Sequence, residues 1–133
     1  WVHDMPLPDS PTTAYRPLME NAAEVWNKKV RQFSMPYFPN VTMGWDSSPR
    51  CTQTDPWGNT GYPFTNCIDG NTPEAFQEAL QRVKAFLDAH PQCKNTFTIN
   101  CWNEWTEGSY LEPDTVHGMA YLEAIQKVFG TKK

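Results

Sequence analysis

The sequence predicts an α/β fold, the C-terminal part of a (β/α)8 TIM barrel comprising its last two βα units and one preceding helix. Three observations carry that expectation. Helical and extended patterns follow one another as helix, strand, loop, helix, strand, loop, helix, which indicates βα units on a parallel sheet. Only two strands are convincing, too little sheet to cover three amphipathic helices. Both strands deliver carboxylates into the loops at their C-terminal ends, where barrel enzymes place their sites. The 133 residues are read as one partial domain, 1–133. A barrel needs roughly 250 residues, so about half of it is expected outside this sequence. An open doubly wound sheet is the structural alternative.

Residues 1–11 are proline-rich and read as a loop, with Thr12 or Thr13 capping a first helix. Tyr15, Leu18, Met19, Ala22, Trp26, Val30 and Phe33 recur at helical spacing, and Pro17 falls in the first turn, where proline is tolerated. Pro36 and Pro39 stop the helix. VTMGWD (41–46) is the first strand, followed by a long loop (47–70) rich in Pro, Gly, Asn and Thr. Loops of that length tend to be functional. Thr72-Pro73-Glu74 is a helix start: a cap, a proline in the first turn and an acid near the positive end. That helix carries Phe76, Leu80, Val83 and Leu87 and ends near His90-Pro91. NTFTINCW (95–102) is the second strand. Asp114 or Thr115 caps a last helix bearing Tyr121, Leu122, Ile125, Val128 and Phe129, with Gly130 as its stop.

Composition narrows the function classes. The net charge is −4 and the pI near 5.3, with no basic stripe to meet phosphates, so no nucleic acid or anionic membrane is expected as a partner. No apolar run approaches the roughly 20 residues of a membrane span. The sequence opens on Trp1-Val2-His3-Asp4 without an initiator Met or a visible signal peptide, and is read as an excised piece or mature fragment. Cys51, Cys67, Cys93 and Cys101 include no C-x-x-C pair, which weakens a zinc-ribbon reading. Cys51 and Cys67 share the long loop; a disulfide and two free thiols are both open there. Cys101 is read as a buried free thiol. No metal or cofactor is expected. GNTG (58–61) lacks the Lys-Ser/Thr of a phosphate loop, and no Ser-His-Asp pattern can be assembled from His3, His90 or His117.

Alternation along the strands sorts the chemistry. Phe97, Ile99 and Cys101 share one face, and Thr98, Asn100, Trp102 and Glu104 the other; Val41, Met43 and Trp45 likewise oppose Thr42, Gly44 and Asp46. Glu104 and Glu107, three apart on a turn at Gly108, are the candidate catalytic pair, because glycoside chemistry needs two carboxylates straddling one bond. Trp102, Trp105 and Tyr110 offer planes on which sugar rings stack, and Trp45, Asp46, Arg50 and Asn103 are further candidate substrate contacts. Several have a bland alternative: a solvated loop face for the glutamates, a core plug for Trp105, a loop cap for Asp46, a loop ion pair for Arg50.

WNEWTEGSYLEPD (102–114), followed by HGMAYLEAIQKVF (117–129), resembles the C-terminal signature of the glycoside hydrolase family 99-like domain, and VTMGWDSSPR (41–50) is similar to its preceding strand. The resemblance covers roughly residues 38–129. That family includes retaining endo-α-mannosidases and a bacterial branch labelled as glycosyltransferases of surface-polysaccharide synthesis. The resemblance implies a (β/α)8 barrel whose last two strands lie here. It matches Glu104 and Glu107 to the hydrolases' E-W-x-E pair, Glu107 as general acid/base and Glu104 assisting attack by the sugar's own 2-hydroxyl through an anhydro-sugar intermediate. Thr106 stands where the hydrolases typically have His, and SYLEP departs from their following residues, so mannose specificity is not carried over.

The expected function is therefore that of a retaining glycoside hydrolase cleaving α-linked glycans. The alternatives are a glycosyltransferase-associated domain of bacterial surface-polysaccharide (O-antigen or rhamnan-like) biosynthesis and a non-catalytic carbohydrate-binding fragment. The expected partners are an oligosaccharide or polysaccharide, and either the missing N-terminal half of the barrel as a second chain or a second copy. A glycan-degrading hydrolase would be periplasmic or extracellular, a synthetic enzyme cytoplasmic.

Overall fold

A computed structural model describes residues 12–52, 54–55 and 60–130. The loop read at residues 1–11, the first two residues of GNTG and the terminal pair Lys132-Lys133 lie outside the described residues.

The first helix, α1, runs from Tyr15 to Gln32. The threonines expected to cap it instead form a strand, β1 (Thr12–Ala14), and Ala14 occupies the cap position without a side-chain bond. Thr is β-branched and suits an extended backbone when a partner strand is available. That partner is β3 (Cys67–Asp69), parallel to β1 and inside the segment read as loop. Three residues are too few for a period-two pattern to show.

The strand read at 41–46 is hydrogen-bonded in two directions. Its start, β2 (Asn40–Thr42), pairs in parallel with β4 (Thr98–Asn100), Val41 opposite Ile99. Its end turns toward β3, where the Ile68 amide donates to the Trp45 carbonyl at 2.7 Å. The parallel pairing is the one the helix-strand alternation predicted. Between them Gly44 takes φ +131°, and a Cβ there would collide with the Asn71 side-chain amide, which itself donates to the Met43 carbonyl at 2.8 Å.

The second helix, α2 (Pro73–Ala89), starts as its sequence predicts: the Thr72 hydroxyl accepts from the Ala75 amide at 3.3 Å, with Pro73 in the first turn. Beyond β4, the acidic stretch forms an antiparallel hairpin, β5 (Asn103–Glu104) and β6 (Ser109–Tyr110), around a 3₁₀ turn. The last helix, α3 (Ala120–Phe129), begins later than expected, because Asp114 caps a separate turn through the amides of Val116 and His117. Gly130 ends α3 as predicted.

Helix α2 is the centre of the packing, in contact with both α1 and α3. Its Leu80 and Val83 are wholly buried, each worth about 1.5–3 kcal/mol of transfer from water. The Trp26 and Phe86 rings meet edge-on at 5.7 Å, and Phe76 and Tyr121 at 5.8 Å. Two buried phenols are satisfied by backbone: Tyr15 donates to the Thr42 carbonyl at 2.7 Å, Tyr121 to that of Asn71 at 2.6 Å. Tyr15, Leu18, Trp26, Phe76 and Leu80 are buried within the chain itself, and Leu122 and Phe129 are half-buried against the same core.

The described residues form three helices and three two-stranded sheets, none of them closed into a barrel. Val41, Met43, Trp45, Phe97 and Ile99 pack on the core side as the alternation predicts, while Asn40 Nδ2 donates to Thr98 Oγ1 at 2.9 Å on the opposite, open side. Cys101 departs from the pattern. The strand ends at Asn100, and the Cys101 thiol is half-buried, donating to the Ser109 carbonyl at 3.0 Å. No described helix is long and apolar enough to cross a membrane.

Candidate functional site

The acidic pair is brought to one side by local geometry. Trp105–Glu107 is a 3₁₀ turn with Glu104 at its N-cap and Gly108, at φ +56°, at its C-cap. With three residues per turn, positions i and i+3 eclipse, so Glu104 and Glu107 project the same way. Trp105 projects elsewhere. A second 3₁₀ turn, Ser48–Arg50, packs against the first and supplies the cation. Arg50 Nε lies 3.2 Å from Glu107 Oε1, and Arg50 Nη2 lies 3.7 Å from Glu104 Oε2.

The two glutamates differ in environment. The Glu107 side chain is 14% exposed and that of Glu104 52%. Glu107 Oε1 also accepts from the Tyr62 hydroxyl at 3.0 Å. No hydrogen bond to Glu107 Oε2 occurs among the described residues.

Both glutamates open onto a cleft of about 540 Å³, which Trp45, Arg50, Trp102 and Asn103 also line. Trp102 is half exposed and presents a ring to the cleft. Trp45 is a wall rather than a free platform: it is buried, and its indole donates to Thr65 Oγ1 at 2.8 Å. The floor is a polar pair that sequence reasoning did not single out. Asn100 Nδ2 donates to Ser109 Oγ at 3.2 Å, and Ser109 Oγ donates to the Asn100 carbonyl at 3.1 Å.

Three proposed contact residues lie outside the lining of this cleft. Asp46 instead lines an adjacent cavity of about 190 Å³ with Asn71, Gly108 and Tyr121. Its Oδ1 accepts from the Ser48 amide at 2.9 Å and from the Cys67 thiol at 3.1 Å. Burial pushes the Asp46 carboxyl up, but the bonds from Ser48 and Cys67 outweigh it and hold the group below the usual carboxylate range. The same contact, after burial, pushes the Cys67 thiol up to about 11. Cys51 and Cys67 are both free thiols. Trp105 stacks on Tyr110 with ring centres 3.8 Å apart, and its indole donates to Glu112 Oε2 at 2.8 Å. Tyr110 donates to Asp114 Oδ2 at 3.1 Å and lines the Asp46 cavity. These aromatics brace the hairpin.

Tyr62 was missed by sequence reasoning. It sits 45 residues before its carboxylate, and only the length of the 47–70 segment hinted at function. No cluster of metal-ligating side chains occurs among the described residues. The arrangement provides a half-exposed carboxylate, an enclosed one, a guanidinium between them and an aromatic face. That set can exchange a proton with a hydroxyl or glycosidic oxygen and stabilise charge nearby.

Comparison with known proteins finds the family described as "Glycosyltransferase WbsX" across residues 8–125. Two curated relatives, each described as "Uncharacterized protein WxcX", come from Xanthomonas campestris pv. campestris strains B100 and ATCC 33913. Each is 30% identical over 109 residues, covering 81% of this chain and 14% of the relative. The chain thus spans about one seventh of the length of the curated relatives it matches. No solved structure matches.

Proposed function

The chain belongs to the WbsX glycosyltransferase family, and on that premise we propose that it carries the acidic cleft of a carbohydrate-active enzyme that transfers sugars in bacterial surface-polysaccharide assembly. The observation that carries this reading is the Glu107 carboxylate: enclosed, held on one oxygen by Arg50 and Tyr62, and without a hydrogen bond on the other among the described residues. In transfer, a carboxylate so placed takes the proton from the acceptor hydroxyl as that oxygen attacks the donor's anomeric carbon, and the bond from that carbon to the nucleotide diphosphate breaks, the diphosphate leaving with the electron pair. Glu104 and Arg50 stabilise the charge that develops, and Trp102 presents a plane for a sugar ring.

Hydrolysis is the second reading, favoured by the placing of Glu104 and Glu107 around one guanidinium. The proton movement is then reversed at the first step: Glu107 protonates the departing glycosidic oxygen, and Glu104 assists on the other side of the sugar. We also propose that the chain is the C-terminal part of a (β/α)8 barrel. Support comes from the parallel β2–β4 pair, the helices packed on one side of it, and a cleft at the C-terminal ends of its strands.

The complete protein, given nucleotide sugars with glycan acceptors in one series and α-linked oligosaccharides alone in the other, separates the two reactions. Nucleotide release that requires an acceptor supports transfer. Release of reducing ends without a nucleotide sugar supports hydrolysis. Turnover in neither series removes both.

A further inference from the structure

Glu107 is held by two side chains from the connection between β2 and β3, and only one of them is a cation. We propose that Tyr62 is a positioning residue that fixes the orientation of the Glu107 carboxylate and so selects the oxygen that faces the substrate.

Four observations carry this. The Tyr62 hydroxyl donates to Glu107 Oε1 at 3.0 Å, the oxygen that Arg50 Nε approaches at 3.2 Å. With a hydrogen bond from Tyr62 and an ion pair from Arg50 both on Oε1, rotation of the carboxylate would break the two together. The Tyr62 ring is more than half exposed, and its inner side has two neighbours: its centre lies 6.3 Å from that of Trp45 and 6.0 Å from Arg50 Cζ. Trp45 is in turn buried and bonded to Thr65. Desolvation, and then the bond to Glu107, push the Tyr62 phenol above its ordinary value, so it remains the donor at neutral pH. Among the described residues Glu104 has no such hydrogen-bond partner, being 3.7 Å from Arg50 and half exposed. Arg50 approaches both glutamates, whereas Tyr62 donates to Glu107 alone.

The inference rests on the reading of Glu107 as the proton-transferring carboxylate, and the test separates the two. Tyr62→Phe keeps the ring and removes the hydroxyl. In the complete protein, Tyr62→Phe, Glu107→Gln and the double variant are assayed on the nucleotide-sugar and oligosaccharide series above, with the Glu107 carboxyl carbon followed by ¹³C NMR. A hydrogen bond to a charged group makes about a tenfold difference. Tyr62→Phe is therefore expected to lower kcat about tenfold with KM within twofold, to lose that effect in the Glu107→Gln background, and to shift the Glu107 carbon but not that of Glu104.

A parental kcat in Tyr62→Phe, or an equal loss with and without Glu107, overturns the positioning role while leaving the function standing. If the parent turns over no probe, the functional reading fails and the NMR signal decides alone. A shift confined to Glu107 then sustains Tyr62 as its orienting partner, and an unmoved signal overturns it.

Discussion

The backbone amide of Asp46 donates to the carbonyl of Glu107 at 2.6 Å. One bond thereby ties the end of the first predicted strand to the turn that presents the acidic pair. The junction is too tight for a side chain at the next residue: a Cβ on Gly108 would sit 2.8 Å from Asp46 Cβ, at a φ of +56°. Gly108→Ala is expected to cost about 1–3 kcal/mol and to displace Glu107 from Arg50. Thermal unfolding checks the first effect, and loss of turnover beyond what the lowered stability explains checks the second.

The glutamates should separate function from folding. Glu107→Gln is expected to leave the melting temperature within a few degrees of the parent and to lower turnover about 10²–10⁴-fold. Glu104→Gln should also lower turnover, with a smaller change in stability because its carboxylate is half exposed and farther from Arg50. Near-parental turnover in both variants would make the pair structural.

The two tryptophans of the hairpin should behave differently. Trp102 faces the cleft and Trp105 stacks on Tyr110. Trp102→Ala is expected to weaken glycan binding about tenfold, since stacking on an aromatic face is worth about 1 kcal/mol or more beyond area. Trp105→Ala should lower stability with a smaller effect on binding. Titration calorimetry with the glycan that the parent turns over, paired with denaturation, distinguishes them; the reverse pattern would move the sugar face to the other side of the hairpin.

Asp46 predicts part of the acid sensitivity. Its carboxyl lies below its ordinary value of 3.8 in the folded state. The unfolded chain therefore binds the proton first, so this stabilisation is complete above that value and is lost as pH falls through the lower folded one. Asp46→Asn should flatten the acid limb of stability below about pH 4 and leave its slope near neutrality unchanged. An unchanged acid limb would show that the Ser48 and Cys67 contacts do not hold in solution.

Helix α2 offers a control far from the cleft. Thr72→Ala removes the only side-chain N-cap among the described α-helices and is expected to cost about 1 kcal/mol without altering turnover.

What the sequence determined by itself was whatever depends on near neighbours. The start of α2 was legible because Thr72, Pro73 and Glu74 act within one turn, and the end of α3 because Gly130 acts there. The core sides of β2 and β4 were legible because strand faces alternate, and the shared direction of Glu104 and Glu107 because three residues make one 3₁₀ turn. Tertiary structure decided what depends on distant partners. Thr12–Ala14 became strand rather than cap only because Cys67–Asp69 lies beside it. Trp105 and Asp46 were drawn from the expected cleft by Tyr110 and Cys67, and Tyr62 reached Glu107 across 45 residues. The physical reason is range: caps, turns and strand alternation are settled within a few residues, whereas a hydrogen bond between distant side chains exists only after the core has fixed where both backbones stand.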